Sequence, residues 1–221
     1  MLKVDLHVHT EYSDGDPLDS VIYYARLHGL NGLAITDHYT IRGAMKVKNQ
    51  VDDIIVIPGL EIKTSIGHVL LLGVEEIPRT TKYTELYEWA LENNALMVLV
   101  HPIATLSSIL YNLDLLSTMK PSAIEVLNST YPLYSLATRI SRLIARRLEL
   151  PGVAGSDAHR AYQVGMCYTT VDSDSNLDDI LEGIRRGRIV TYGRPAPLFL
   201  RFKLMIEFLS NRLRLGNEES T

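Results

Sequence analysis

The length, composition and charge of the chain exclude several classes of protein. Its 221 residues suffice for one sizeable core or two small ones, and the 46% hydrophobic and 22% charged content is ordinary for a globular protein. The net charge of −4 argues against a surface built throughout for nucleic acid, although it leaves room for a local basic patch.

The cysteine count and the hydropathy pattern lead us to expect a cytoplasmic protein. The single cysteine, Cys167, rules out an internal disulfide and fits a reducing compartment. No apolar run approaches the roughly 20 residues that cross a bilayer, so we expect no membrane partner. The first predicted strand begins at Leu2, and we therefore expect no signal peptide.

Short apolar runs alternate with amphipathic stretches of helical length along the chain. The first run alternates apolar and polar residues with a period of two, which is typical of a strand with two different faces. The predicted strands are Leu2–His7, Gly32–Thr36, Ile54–Pro58, His68–Gly73, Leu96–His101, Ala123–Leu127, Gly152–Ala154, Cys167–Val171 and Arg188–Tyr192. The predicted helices are Leu18–His28, Tyr83–Asn93, Leu106–Met119, Leu133–Arg147 and Leu177–Arg186.

This alternation predicts an α/β protein with a mostly parallel sheet. No linker rich in Gly, Ser or Pro and no repeat of fixed period divides the chain, so we predict a single barrel domain over residues 1–197. Residues 198–221 are predicted to form a C-terminal helix that packs on the barrel or against another subunit, with a frayed end. The oligomeric state stays open.

Histidines and carboxylates gather where the predicted strands end. His7 and His9 project from one face of the first strand, one pleat apart, so that one divalent metal could bind both. Only His28, in the last turn of a helix, departs from this pattern among the seven histidines. The residues at or beside strand ends are His7, His9, Asp14, Asp37, His38, Glu61, His68, His101, Glu125, Asp157 and His159.

This concentration of polar residues favours a closed barrel over an open doubly wound sheet, because strand C-terminal ends converge on one face of a barrel. Buried carboxylates and imidazoles without a counter-charge would be costly, and divalent cations supply that charge. Imidazole and carboxylate ligands without thiolate suit zinc, manganese or iron. One tetrahedral ion cannot use so many ligands, so two or three ions are implied.

Six motifs in this set resemble those of the polymerase and histidinol phosphatase (PHP) family, in the family's order and over most of the chain. The motifs are Asp5-Leu6-His7-Val8-His9-Thr10 with Asp14, Thr36-Asp37-His38, Pro58-Gly59-Leu60-Glu61, Gly67-His68, Val100-His101-Pro102 and Gly155-Ser156-Asp157-Ala158-His159. The resemblance implies a distorted seven-stranded TIM-like (β/α) barrel with up to three metals at the strand C-terminal ends.

The resemblance also implies three sets of metal ligands. The first metal would take His7, His9, Glu61 and Asp157. The second would share Glu61 as a bridge and add His68 and His101, and the third would take Asp14, His38 and His159. Asp37 and Glu125 would orient ligands. Asp14 stands where some relatives have a histidine. This residue either weakens the third site or only changes its metal preference, since a harder ligand would let manganese or iron compete better with zinc.

The activity implied by the resemblance is that of a metal-dependent phosphoesterase. A metal-bridging hydroxide would hydrolyse a small phosphate ester, namely a phosphomonoester, a nucleotide or a short oligonucleotide. The candidate catalytic residues are Asp157 as a proton acceptor, Arg160 as a phosphate clamp, and Asp37. Arg42 and Arg194, in predicted loops, are further candidates for the clamp.

Several alternatives stay open at this point. A nuclease that trims nucleic acid from an end and a histidinol-phosphate phosphatase would use the same ligands. A non-catalytic PHP-type module that binds a macromolecular partner or nucleic acid is the alternative from another class. Arginines recur at helical spacing at positions 139, 142, 146 and 147. They form either a solvated helix face, with Ile140, Leu143 and Ile144 turned to the core, or a stripe that faces nucleic acid.

Overall fold

The computed structural model describes residues 1–48, 50–199 and 201. Nine strands in this part of the chain form one sheet in the order β7-β6-β5-β4-β3-β2-β1-β8-β9. They are β1 (Leu2–Val8), β2 (Gly32–Ile35), β3 (Ile55–Lys63), β4 (His68–Leu72), β5 (Leu96–Val100), β6 (Ala123–Asn128), β7 (Gly152–Gly155), β8 (Cys167–Val171) and β9 (Ile189–Gly193).

Strands β1 to β7 form a nearly closed barrel. The pairs β1–β2, β2–β3, β5–β6 and β6–β7 are parallel, whereas β4 runs antiparallel to both β3 and β5. At the seam between β7 and β1, Val8 bridges Ala158, and the N–H of Asp157 donates to the carbonyl of His7 at 2.8 Å. The predicted single-domain, distorted seven-stranded barrel is therefore confirmed.

The reversed direction of β4 matters for the site. Lys63, the last residue of β3, pairs with His68, the first residue of β4. His68 consequently lies at the end of the barrel where the parallel strands finish, although it begins its own strand. A residue at either end of a strand can therefore join the same cluster, depending on the direction in which the strand runs.

A hairpin of β8 and β9 continues the sheet beyond β1, to which β8 pairs antiparallel. The hydroxyl of Thr169 in β8 donates to the carbonyl of Ala154 at 3.1 Å and accepts the N–H of Ala154 at 2.8 Å. These bonds attach the hairpin to β7. Near the start of β7, the gap between β7 and β1 is therefore covered by β8 and is not closed by direct pairing of β7 with β1.

Seven α-helices accompany the strands in the described residues. They are α1 (Leu18–Leu27), α2 (Arg42–Lys48), α3 (Tyr83–Glu92), α4 (Leu106–Tyr111), α5 (Leu113–Thr118), α6 (Tyr134–Leu148) and α7 (Leu177–Arg185). None of them combines the length and the hydropathy that crossing a membrane requires. Ile180 and Ile184 of α7 pack with Leu6, Val98 and Val153 of three strands, in one of three hydrophobic clusters that form the core.

Two helical predictions need correction. The predicted helix Leu106–Met119 is divided at Asn112, whose φ of −104° and ψ of 22° are not helical, so that α4 ends there and α5 begins. The sequence analysis missed α2 and assigned Arg42 to a loop. Seven residues with Gly43, Ala44 and Val47 buried show too short an apolar pattern to be recognised as a helix.

The prediction that Leu143 of α6 turns to the core is wrong. Leu143 is 55% exposed, whereas Ile144 is 6% exposed and Ile140 is partly buried. Successive residues of a helix are 100° apart, so Leu143 and Ile144 cannot both face the same neighbours. All four arginines of α6 are exposed, as expected of a solvated face.

The predicted C-terminal helix falls almost entirely outside the described residues and stays a prediction. The last described residue, Arg201, donates from its guanidinium to the carbonyls of Tyr131 and Pro132, at 3.3 and 2.9 Å. The N–H of Ala196 donates to the carbonyl of Ser129 at 2.8 Å. The chain therefore returns to the loop between β6 and α6 before it leaves the described part.

Candidate metal centre

The structure brings all nine predicted ligands together at one end of the barrel. Each donor atom comes from the end of a strand, from the loop that follows it, or in the case of His68 from the start of the reversed strand β4. Within this set, four groups of three or four donor atoms lie within 4.8 Å of one another. The clustering was predicted, whereas the binding of metal by each residue stays a prediction.

The deepest group contains His7, His9, Glu61 and Asp157. The Nε2 atoms of His7 and His9 lie 3.2 Å apart, and they approach Oε2 of Glu61 at 3.3 and 3.2 Å. The same two nitrogens lie 3.5 and 3.4 Å from Oδ1 of Asp157. Both histidines and Glu61 are almost inaccessible to solvent. This group corresponds to the ligand set that the family resemblance implies for the first metal.

The second group gathers on the other oxygen of Glu61. Oε1 lies 2.7 Å from Nδ1 of His68 and 2.9 Å from Nε2 of His101. Glu61 thus directs one carboxylate oxygen to each group, as a bridging ligand requires. His101 adopts a left-handed backbone conformation, with a φ of 30°, and Asp157 does likewise with a φ of 54°. Such strain at non-glycine residues is typical of functional sites.

The third group is the most exposed and contains His9, Asp14, His38 and His159. Oδ2 of Asp14 lies 3.6 Å from Nε2 of His38 and 3.3 Å from Nε2 of His159. The side chain of Asp14 is 52% exposed, so this group faces the mouth of the site. Nδ1 of His9 is buried without a hydrogen-bond partner among the described residues, and it lies 3.8 Å from Oδ1 of Asp14.

The charges of the cluster are balanced by the histidines. Burial lowers the pKa of His7, but the carboxylates of Asp157, Glu125 and Glu61 outweigh burial and raise that pKa well above its ordinary value. Burial raises the pKa of Glu61, but His7, His101 and His68 outweigh it and hold this pKa well below the ordinary value. The directions of these shifts favour ionised carboxylates beside protonated imidazoles, whereas burial lowers the pKa of His68.

The exposed group shows the same balance. Burial lowers the pKa of His159, but the hydrogen bond to Asp14 and the charge of Asp157 outweigh it and raise this pKa to about 9. Metal ligands must lose their protons, so a divalent cation would replace the protons on these imidazoles and supply the charge that they now carry. The donor types, their spacing and this charge balance fit divalent metal binding.

Glu125 and Asp37 lie outside the donor groups, and their contacts orient residues that belong to these groups or to the loop that carries Asp14. Oε1 of Glu125 lies 3.0 Å from Nδ1 of His7, and Oε2 accepts the N–H of His101 at 2.9 Å. The two oxygens of Asp37 accept the N–H and hydroxyl of Thr10, each at 2.7 Å, and Oδ1 also accepts the hydroxyl of Ser13 at 2.8 Å. Asp37 thus fixes the loop that carries Asp14.

Sequence reasoning missed two residues that contact Asp157. Oδ2 of Asp157 accepts from Nδ2 of Asn128 and lies within hydrogen-bonding distance of the Thr130 hydroxyl, both at 3.1 Å. The predicted role of Asp157 as a proton acceptor requires a free carboxylate oxygen, and Oδ2 already has these two neighbours. Asn128 is the last residue of β6, so a search for amides as well as ionisable groups at strand ends would have found it.

The three candidate clamp arginines lie in different places. Arg160 is half-exposed and donates to Oδ1 of Asp16 at 2.8 Å, which links the loop after β7 to the loop after β1. Arg42 lies with its guanidinium carbon 5.7 Å from the ring centroid of Tyr12. Arg194 lies with Lys3 in the lining of a cavity of about 370 Å³, at the other end of β1 from the histidines.

Comparisons with known proteins agree with this geometry. Residues 136–189 match the family model PHP_C, which describes a PHP-associated segment. An uncharacterized protein of Methanocaldococcus jannaschii is 30% identical over 147 residues, which cover 58% of this chain and 82% of that protein.

Two solved structures share the fold. A two-domain Bacteroides vulgatus protein, which contains a predicted PHP-like metal-dependent phosphoesterase, superposes with a TM-score of 0.75 and 22% identity. The match covers 87% of this chain and 65% of that one, so this chain spans about two thirds of its length. Endonuclease Q, in complex with a 27-mer duplex bearing an abasic lesion, matches with a TM-score of 0.57, 17% identity and coverage of 84% and 56%. The ordered motifs, the donor cluster at the barrel end and these matches show that the chain belongs to the PHP family.

Proposed function

We propose that the protein is a metal-dependent phosphoesterase that hydrolyses a small phosphate ester at a site for two or three divalent ions. The observation that carries the proposal is the complete set of nine donor residues in four overlapping groups, two of which share Glu61. The donors are imidazoles and carboxylates, which suits zinc, manganese or iron. A protein that had lost this chemistry would have no need to keep every donor together.

The metals, when bound, lower the pKa of a water molecule and neutralise charge on phosphoryl oxygens. The residues of this chain hold and orient them. His7 presents Nδ1 to Glu125, and a proton at Nδ1 leaves the Nε2 lone pair directed at the cluster. Because Glu61 and His7 are buried, their orientation is set by the protein and not by solvent, as transition-state stabilisation requires.

The exposure of the third group supports access by a substrate phosphate from this side. Asp14 and His38 are the most accessible donors, with 52% and 32% of their side chains exposed. Arg160, at the same mouth through its bond to Asp16, is placed to contact an incoming anion. A phosphomonoester, a nucleotide or the end of a short oligonucleotide would fit such an open site.

A nuclease acting on nucleic acid ends is the second candidate. The structural match to endonuclease Q, which was solved with a DNA duplex, favours a nuclease in general and does not bear on the choice of ends. The two candidates use the same donors and differ only in what lies beyond the scissile phosphate. Turnover of nucleoside monophosphates against short single strands of matched sequence separates them.

Metal content and chelation test the proposal. Gently purified protein should contain two to three divalent ions per chain by elemental analysis, and it should hydrolyse p-nitrophenyl phosphate or one of the nucleotide substrates. Thorough chelation should abolish turnover while circular dichroism shows that the fold persists, and added manganese, zinc or iron should restore it. Turnover that survives complete metal removal would contradict the proposal, as would metal-loaded protein that binds a macromolecular partner and hydrolyses none of these esters.

A further inference from the structure

The contacts of Asp157 divide its two carboxylate oxygens between different partners. Oδ1 faces the cluster, at 3.5 Å from Nε2 of His7, 3.4 Å from Nε2 of His9 and 3.6 Å from Nδ1 of His159. Oδ2 faces the end of β6 and the loop that follows it. We propose that Asn128 is a positioning residue that holds Oδ2, so that Asp157 offers only Oδ1 to a metal.

The side chain of Asn128 is fully used and fully buried. Its Nδ2 donates to Oδ2 of Asp157 at 3.1 Å and to Oε2 of Glu125 at 2.9 Å. Its Oδ1 accepts the N–H of Thr130 at 2.9 Å and lies 2.6 Å from the Thr130 hydroxyl. An amide has two protons and two lone pairs, so this orientation satisfies both protons and one lone pair, and the Thr130 hydroxyl is within reach of the other. Rotation of the amide would place its oxygen against two carboxylates.

Thr130 supports Asn128 rather than replacing it. Its hydroxyl has one proton and two acceptors within reach, Oδ1 of Asn128 and Oδ2 of Asp157. It can donate to only one of them at a time. The Asn128 amide is therefore the permanent donor to Oδ2, and the hydroxyl reinforces either the amide or the carboxylate.

One amide thereby sets the direction of two groups in the site. Through Glu125 it acts on His7, because Oε1 of Glu125 lies 3.0 Å from Nδ1 of that ring. Through Oδ2 it fixes the plane of the Asp157 carboxylate, whose backbone is already held in the left-handed region. Oδ2 has two lone pairs, of which the Asn128 amide uses one and the Thr130 hydroxyl can use the other, so chelation of one ion by both oxygens would compete with these hydrogen bonds.

Metal affinity tests this inference, which rests on the proposed function only in assigning Asp157 as a metal ligand. The metal-free chain carrying Asn128→Ala is titrated with Mn²⁺ against a competing chelator, and circular dichroism monitors its fold. We expect the tightest Mn²⁺ site to weaken by about 10- to 100-fold, as is usual when an orienting partner of a ligand is removed. Ser129→Ala is the matched control, because the Ser129 hydroxyl donates to the Ser156 carbonyl and not to Asp157.

A second pair of variants keeps the test decisive if Asn128→Ala does not fold. Thr130→Val removes the hydroxyl with little change of shape, and it should weaken Mn²⁺ binding by less than the alanine variant. Thr130→Ser keeps the hydroxyl and should bind more tightly than Thr130→Val.

Wild-type affinity in both Asn128→Ala and Thr130→Val would overturn the inference alone, and so would an equal loss in Ser129→Ala. A wild-type chain that binds no divalent metal would overturn both this inference and the proposed function. A chain that binds Mn²⁺ and shows the expected losses, yet hydrolyses no phosphate ester, would support the inference and contradict the function.

Discussion

Oε1 of Glu61 lies 2.7 Å from Nδ1 of His68, although the two residues belong to neighbouring strands that run in opposite directions. The short loop between β3 and β4 turns the chain back, so the start of β4 lies beside the end of β3. Oε2 of the same glutamate lies 3.2 Å from Nε2 of His9. Glu61 therefore connects the donor group that includes His68 of the reversed strand to the donor group that includes His9.

Glu61→Gln should be more harmful than His68→Ala. The glutamine has only one acceptor oxygen and no charge, so one of the two groups that share Glu61 loses its oxygen ligand and the other keeps only a neutral one, whereas His68→Ala removes one donor from one group. We expect at least a 100-fold loss of turnover for Glu61→Gln, beyond the range found when only an outer partner is removed. Turnover and metal content would be measured together. Glu75→Gln, which removes an exposed carboxylate paired with Lys48, is the charge-matched control, and equal losses in both variants would contradict the prediction.

Asp14→His should change the metal preference of the exposed group. The substitution replaces a hard oxygen donor with an imidazole beside His9, His38 and His159, which favours zinc over manganese. We expect the ratio of zinc to manganese affinity to rise by about 10-fold or more, measured by chelator competition with each ion. Asp16→Asn, a neighbouring loop carboxylate that accepts from Arg160, is the control. An unchanged ratio in Asp14→His would mean that this group does not bind the ion.

Arg160→Met should weaken substrate binding more than it slows turnover. If Arg160 contacts a phosphate oxygen in the ground state and in the transition state alike, its loss raises KM with little change in kcat. A hydrogen bond to a charged group is worth about 1.5–3 kcal/mol, so an increase in KM of about 10-fold or more is expected. Steady-state kinetics on Arg160→Met and on Arg139→Met, an exposed arginine of α6, provide the comparison. An unaltered KM in the first variant would contradict the assignment of Arg160 to substrate binding.

Ile144→Ala should destabilise the fold far more than Leu143→Ala. Ile144 is 6% exposed and belongs to a hydrophobic cluster, so its truncation leaves a cavity and should cost about 2–5 kcal/mol. Leu143 is 55% exposed, and the same truncation there should change the free energy of unfolding by less than about 0.5 kcal/mol. Urea denaturation measures both. A large cost at Leu143 would show that a partner or another part of the chain covers this face of α6.

Much of the fold was predictable because the apolar periods are long and regular. Strand β8 was predicted with its observed limits, and the other strands overlap their predictions. Helix α2 was missed because seven residues with a buried glycine show little periodicity. Leu143 was misplaced because the residue type alone does not tell whether a leucine of a helix is exposed or buried. Local pattern cannot distinguish these cases, since burial is decided by the neighbouring elements.

The sequence alone determined where the strands lie and which ionisable residues stand at strand ends, because these features depend on local spacing and on residue type. The expectation of a mostly parallel sheet was wrong for the described sheet as a whole, in which four strand pairs are parallel and four are antiparallel. Only the tertiary structure decided that β4 runs in the opposite direction, that Glu61 divides its oxygens between two groups, and that Asn128 and Thr130 occupy the second oxygen of Asp157. Contacts in the site join residues that are far apart in the chain, such as His7 and Glu125, which are 118 positions apart. Their distances follow from barrel closure, which no local pattern encodes.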